Sequence, residues 1–332
     1  MLQNREEILN NIFEVKNETD FNTVSLSVFH YQYINNSIYK AYVNSLNRDV
    51  KSINHYTEIP FLPIEFFKTK DVVCSNIKVS AICFTSSGTT GQITSKHWVN
   101  DVAVYEKSFL TGFSEFYGST EDYCILALLP NYLERTGSSL VYMFDKLIKN
   151  SKHKDSGFYL NNINELVSKI IELKTKKQKT ILLGVTYALL DLAEKGVELS
   201  EDFIVMETGG MKGKRKEMIK EELYAVLVNG LKVSSIHSEY GMTELLSQAY
   251  SKGMGVFKYP SWMKILVRDV NDPFTYVKNG KNGGINVIDL ANLDSCAFIE
   301  TKDLGKLHTD NSFEIIGRFD NSDIRGCNLM IG

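Results

Sequence analysis

Seven consecutive residues, Thr85, Ser86, Ser87, Gly88, Thr89, Thr90 and Gly91, bear a hydroxyl or no side chain at all, and they follow the apolar run Ile82-Cys83-Phe84. A polyphosphate needs many hydrogen-bond donors close to one anion, with little side-chain bulk between them. Short hydroxyls and glycine backbone N–H groups supply this, so the segment predicts a phosphate-binding loop after a strand. A Walker loop is a poor match, because Gly91 is followed by Gln92-Ile93 where Lys and Ser or Thr would stand. The competing reading is a Ser/Thr-rich surface turn.

A second segment, Ser234-Ser235-Ile236-His237-Ser238-Glu239-Tyr240-Gly241-Met242-Thr243-Glu244, passes from β-like sequence into a helical pattern beginning near Thr243. Tyr240 can stack, Gly241 permits close backbone approach, and Thr243 and Glu244 offer a hydroxyl and an acid. That set suits a nucleotide with its magnesium ion. Taken alone, Thr243 as a helix cap with Glu244 in the first turn explains the same residues without a ligand. His237 fits a packed core histidine at least as well as a substrate contact.

In this order, TSSGTTG at Thr85 to Gly91 and YGMTE at Tyr240 to Glu244 resemble the acyl-adenylate-forming superfamily of acyl-CoA synthetases, firefly-type luciferases and peptide-synthetase adenylation domains. Three further segments extend the likeness. Glu207-Thr208-Gly209-Gly210-Met211 is similar to the turn flanking the adenine, Thr301-Lys302-Asp303-Leu304-Gly305 to the segment whose Asp grips the ribose, and Gly317-Arg318-Phe319-Asp320 to the hinge. Within the superfamily the chain most resembles the LuxE-type acyl-protein synthetases. The residues concerned are Ile59-Pro-Phe-Leu-Pro-Ile-Glu-Phe-Phe-Lys68, Leu129-Pro-Asn-Tyr-Leu-Glu-Arg135 with Ser138-Ser139-Leu140, Ser156-Gly-Phe-Tyr159, Gly209-Gly-Met-Lys-Gly213 and Arg325-Gly-Cys327. The likeness covers nearly the whole chain.

The resemblance implies that ATP and Mg²⁺ are used to turn a carboxylic acid, for this type a fatty acid, into an acyl-adenylate. Thr85 to Gly91 would then hold the β- and γ-phosphates, Thr243 would contact the α-phosphate and Glu244 would bind Mg²⁺. Gly209, Gly210, Met211 and Tyr240 would border the base, with Glu239, Gly241 and Met242 in the same nucleotide-contacting segment and Arg318 beside it. Asp303 would hold the ribose, although an Asx turn explains that residue too.

Most superfamily members continue past the hinge into a small lid that carries a catalytic lysine. Only Asn321 to Gly332 follows here, so the expectation is a chain without that lid, with Lys96, Lys212, Arg318 or a partner as compensating groups. Cys327 stands two residues from Arg325. A thiolate attacks an acyl-adenylate readily, and a nearby guanidinium lowers a thiol pKa. The resemblance implies that a near-terminal cysteine carries the acyl group as a thioester and passes it to another protein, a reductase or carrier. Cys327 is the expected acyl acceptor, and an inert buried thiol is the other reading. Two rival functions stay open: a ligase similar to phenylacetate-CoA ligases, and a nucleotide-binding subunit without catalysis.

The elements that must position these residues follow from periodicity. From Leu2 to about Leu46 apolar residues recur at helical spacing, which predicts a helical N-terminal layer over residues 1–62 that ends at the extended Ile59-Pro60-Phe61-Leu62-Pro63. Ala81 to Phe84, Tyr123 to Leu129, Thr180 to Leu183 and Phe203 to Glu207 read as strands. Asp101 to Phe116, Ile163 to Leu173, Thr186 to Glu194 and Lys216 to Val228 read as helices. The alternation predicts an α/β core with a largely parallel sheet over residues 63–316, becoming β-rich after about 253, and a short hinge and tail over 317–332. The resemblance implies the large domain of the adenylate-forming fold, with layered mixed sheets and helices.

The 332 residues carry 37 Lys and Arg against 40 Asp and Glu, so no net field favours nucleic acid or an anionic membrane. Residues 1–15 lack the apolar stretch of a signal peptide, and no run is long enough to cross a bilayer, so a cytoplasmic address is expected. The five cysteines are scattered without a CxxC pair and the six histidines are dispersed, which gives no sequence support for a disulfide framework or a histidine-rich metal site.

Overall fold

Asn4 opens the first helix, α1 (Arg5–Ile12), with a capping box: its side chain accepts from the Glu7 N–H at 2.9 Å, and its own N–H donates to the Glu7 carboxylate at 3.2 Å. The computed structural model describes residues 4–75, 77–86, 93–130, 136–209, 215 and 218–319. The chain divides into two compact units, one of Met1–Tyr105, Glu244–Ser247 and Lys258–Gly332, the other of Glu106–Thr243 and Gln248–Phe257.

In the first unit, α2 (Glu18–Asn35) and α3 (Ser37–Ser45) meet at Asn36, whose side chain accepts from the N–H groups of Ile38 and Tyr39 and so caps α3. α2 buries Phe21, Val24, Val28 and Phe29, and the rings of Phe29 and Tyr39 each lie 6.3 Å from that of Phe298. Lys264 adds a cation over Phe21 and Tyr56, at 4.7 and 4.9 Å from their ring centres. The Pro-rich connection becomes β1 (Leu62–Pro63) and is followed by α4 (Phe66–Thr69). A two-stranded antiparallel hairpin follows, β2 (Ile82–Thr85) and β3 (Lys96–Val99), in which Phe84 faces His97 and Thr85 faces Lys96. The chain then enters α5 (Val102–Tyr117).

The second unit alternates strand and helix: β4 (Cys124–Leu128), α6 (Ser139–Ser151), β5 (Gly157–Phe158), α7 (Ile163–Thr175), β6 (Thr180–Val185), α8 (Thr186–Glu194), β7 (Phe203–Thr208), α9 (Lys220–Leu231), β8 (Ile236–Tyr240), β9 (Ala249–Ser251) and β10 (Val256–Lys258). Strands β4 to β8 pair in parallel in the order β8-β7-β6-β4-β5, and β9 joins β8 antiparallel. Every residue of β4 and β6 is buried, as expected for parallel strands covered on both faces by crossover helices.

The first unit resumes with a meander, β11 (Met263–Arg268), β12 (Asn282–Asp289), β13 (Phe298–Leu307) and β14 (Phe313–Arg318), neighbours pairing antiparallel and β1 lying parallel to β13. Asn311, at φ 64, makes the tight turn into β14. Arg268 is buried, donating to the carbonyl of Ile285 (2.9 Å), Oδ1 of Asn286 (2.9 Å) and the carbonyl of Thr301 (2.7 Å). Gly284 leaves room for it, since a Cβ there would lie 2.5 Å from the guanidinium carbon, and a β-bulge follows between Gly284 and Asn286.

The expected strands and helices are present with shifted ends, and α8 has the expected ends. The helix expected near Thr243 does not form. Residues 241–248 are a turn and extended chain, because the N–H groups of Leu246 and Ser247 donate to the Asp289 carboxylate, at 2.7 and 2.9 Å, instead of to carbonyls one turn back. Among the described residues no helix is long and apolar enough to cross a membrane.

Candidate active site

Thr85 ends β2, and the neck of the loop is closed by two bonds: Ser86 N–H to the Ser95 carbonyl at 3.1 Å, and Ser95 N–H to the Ser86 hydroxyl at 2.9 Å. The loop therefore springs from the tip of the β2–β3 hairpin. Ser87, Gly88, Thr89, Thr90 and Gly91 lie outside the described residues.

Glu244 belongs to the same unit as this hairpin and is 5% exposed. Burial pushes its carboxyl above the ordinary range, opposed by a hydrogen bond from the Ser95 side chain and by the charge of Arg318, while the charge of Asp303 pushes it further up. Arg318 and Asp303 face each other across the β13–β14 pairing, Nε to Oδ1 at 3.2 Å, and the Asp303 N–H donates to Thr301 Oγ1 at 3.1 Å. The first unit thus brings together the loop neck, Glu244, Asp303 and Arg318. A buried carboxyl near a second acid is stabilised as an anion by a cation placed beside it. Among the described residues no group of three or more His, Cys, Asp or Glu could hold a metal by itself.

In the second unit β7 delivers Glu207 and Thr208 to Gly209, whose φ of 73 lies in the left-handed region that glycine tolerates. Gly210 and Met211 lie outside the described residues. Glu239 on β8 is buried and accepts from the Thr208 hydroxyl at 2.7 Å, and Glu207 accepts from Thr186 at 3.2 Å. A Cβ on Gly241 would come 2.5 Å from Glu239 Oε1, so any larger residue there has to displace that carboxyl. Tyr240 sets its ring edge-on to Phe257 at 6.0 Å, and Met242 and Thr243 continue the chain in half-buried positions. His237 is packed against Tyr117, Nδ1 to hydroxyl at 3.2 Å, and burial followed by the charge of Lys252 lowers its pKa to about 4, so the ring is neutral at pH 7.

Burial, together with the charge of Glu207, pushes the Glu239 carboxyl from its ordinary 4.5 up to about 7, against the Thr208 hydrogen bond. Between those values the folded chain keeps a proton that the unfolded chain has released. The resulting stabilisation is complete below about pH 4.5 and is lost as pH rises to about 7. Glu239→Gln fixes the neutral form, so its urea midpoint relative to the parent is expected to improve between about pH 5 and pH 7.5. A difference independent of pH would refute the shift.

Sequence reasoning missed Ser95 and Arg268. Neither stands in a recognisable motif, and each acquires its role from partners brought close only by folding.

Solved structures with this fold include ATP-bound MatB from Rhodopseudomonas palustris, at a TM-score of 0.54 and 18% identity over 71% of this chain and 47% of that one. 2-Hydroxyisobutyryl-CoA ligase in complex with 2-HIB-AMP and CoA matches at a TM-score of 0.65 and 11% identity, over 92% of this chain and 72% of that one. McyG A-PCP complexed with phenylalanyl-adenylate matches at 0.53 and 16%, over 83% and 51%. The chain spans about half the length of MatB. Its fold is that of the acyl-adenylate-forming ligases. The family model for acyl-protein synthetase, LuxE, matches residues 11–332, and the chain belongs to that family. The comparison with curated proteins gives no match.

Proposed function

We propose that the protein binds ATP with Mg²⁺, activates a fatty acid as its acyl-adenylate and transfers the acyl group to a protein thiol. The observation that carries this reading is the buried Glu244 carboxyl bonded to Ser95 at the neck of the loop hairpin, in one unit with the Asp303–Arg318 pair. Family membership supports the acyl substrate and the protein acceptor.

In the adenylation step a substrate carboxylate oxygen attacks the α-phosphorus. The new P–O bond forms as the bridge to the β-phosphate breaks, and pyrophosphate leaves with the bonding pair. Positioning and charge stabilisation dominate such a reaction. Bound Mg²⁺ would supply charge neutralisation on the polyphosphate, and Glu244 is the group to hold it. The donors of Thr85 to Gly91 hold the β- and γ-phosphates, Thr243 meets the α-phosphate and Asp303 holds the ribose. Gly209, Gly210, Met211, Glu239, Tyr240, Gly241 and Met242 border the nucleotide. Arg318 keeps Asp303 oriented and balances the acidic pair.

The test is carboxylate-dependent ATP–pyrophosphate exchange across aliphatic acids of graded length and a set of aromatic acids. Exchange that requires Mg²⁺ and is greatest for long-chain acids is expected. ATP binding without exchange for any acid would overturn the catalytic reading in favour of a nucleotide-binding subunit. Release of free acyl-CoA without another protein would overturn the protein acceptor.

A further inference from the structure

We infer that Asn292 is a positioning residue, which with His97 holds the main chain of Glu244 to the hairpin that carries the phosphate loop; the inference rests on the role proposed above for Glu244. Asn292 is 1% exposed. Its Nδ2 donates to the carbonyls of Glu244 and Cys296, both at 2.8 Å, and its Oδ1 lies 3.0 Å from His97 Nε2. Two carbonyl oxygens can be faced only by the NH₂ end, so Oδ1 is the acceptor and His97 Nε2 carries the proton.

His97 sits on β3, two residues after Ser95, and is itself buried with its ring edge-on to Phe67 at 5.7 Å. Glu244 is therefore tied to this arm of the hairpin twice, its carboxylate through Ser95, the residue before β3, and its main chain through Asn292 and His97. No helix fixes residues 241–248, so their conformation depends on such side-chain bonds and on the Asp289 clamp at Leu246 and Ser247. The turn that carries Asn292 is braced from α2. Gln32 donates to the carbonyls of Asn292 (2.9 Å) and Leu293 (3.0 Å) and accepts from the Ala297 N–H at 3.0 Å. Asn36 adds a bond to the Ser295 carbonyl at 3.0 Å. A base of this kind lets Asn292 hold position instead of following Glu244.

Asn292→Asp keeps the shape but sets an oxygen against two carbonyls. His97→Leu removes the donor to Oδ1, and His97→Gln restores one at nearly the same place. The measurements are the Mg²⁺ concentration for half-maximal pyrophosphate exchange, kcat at saturating Mg²⁺ and ATP, and amide hydrogen exchange over residues 244–248. Asn292→Asp and His97→Leu are expected to raise the Mg²⁺ requirement or lower kcat by about 10–100-fold, the usual effect of losing a group that orients a ligand-bearing residue. Amide exchange should quicken locally, and His97→Gln should stay near the parent on every measure. Unchanged Mg²⁺ dependence and kcat in an active enzyme, or quickening spread evenly over the chain, would overturn the inference. If the parent catalyses no exchange with any acid, the proposed function falls and local amide exchange decides the positioning role: quickening over 244–248 in His97→Leu but not His97→Gln supports it, and equal rates overturn it.

Discussion

Glu244→Gln is expected to lower carboxylate-dependent pyrophosphate exchange by about 10²–10³-fold, the range found when one charge-stabilising group is removed from a reacting centre. Glutamine matches the shape of glutamate and can still bond to Ser95, so the change removes charge and little else. Burial already disfavours that charge, as the raised pKa of Glu244 records. The neutral amide should therefore leave the unfolding midpoint unchanged or slightly higher. Activity and stability moving apart in this way would separate loss of a metal ligand from loss of the fold. Full exchange activity in the variant would sink the assignment.

Cys327→Ser should abolish hydroxylamine-sensitive labelling by ATP and labelled fatty acid, while exchange, which precedes the thiol step, stays within about twofold of the parent. A serine hydroxyl is a far weaker nucleophile at neutral pH, and an ester formed on it resists hydroxylamine. Cys327 lies outside the described residues, but the other four cysteines supply an argument by contrast. Burial pushes the thiols of Cys124 and Cys296 up to about 12, that of Cys74 well above its usual value and that of Cys83 upward as well. Thiols shifted in that direction are poor acyl acceptors. Undiminished labelling in the variant would place the acceptor elsewhere.

What the sequence made legible was what repeats locally. β4, β6 and β7 alternate with α7 and α8 in a pattern set by burial on two faces, and α8 begins at once after β6, so its limits could be read directly. The glycine and hydroxyl run at Thr85 to Gly91 and the segment around Glu244 could be singled out as candidates because their residue types carry their chemistry with them. The conformation of residues 241–248 was not, because Asp289, from a distant strand, captures the N–H groups that a helix would have used. Ser95, Arg268 and Asn292 escaped notice for the same reason. A buried polar side chain is defined by its partners, and these partners come from segments far apart in the chain.

The bracing of the β-rich segment by the N-terminal helices sets an order of events during synthesis. Arg5 pairs with Asp294, 289 residues later, and Gln32 bonds to Asn292 and Leu293, while β1 can pair only once β13 exists. At about 5–20 residues per second the ribosome needs roughly a quarter of a minute to a minute to supply those partners. The second unit, drawn almost wholly from one continuous stretch, has its own contacts available well before then. Throughout that interval the apolar faces of α1, α2 and α3 are without their final cover, so chaperone demand during synthesis should concentrate on these helices.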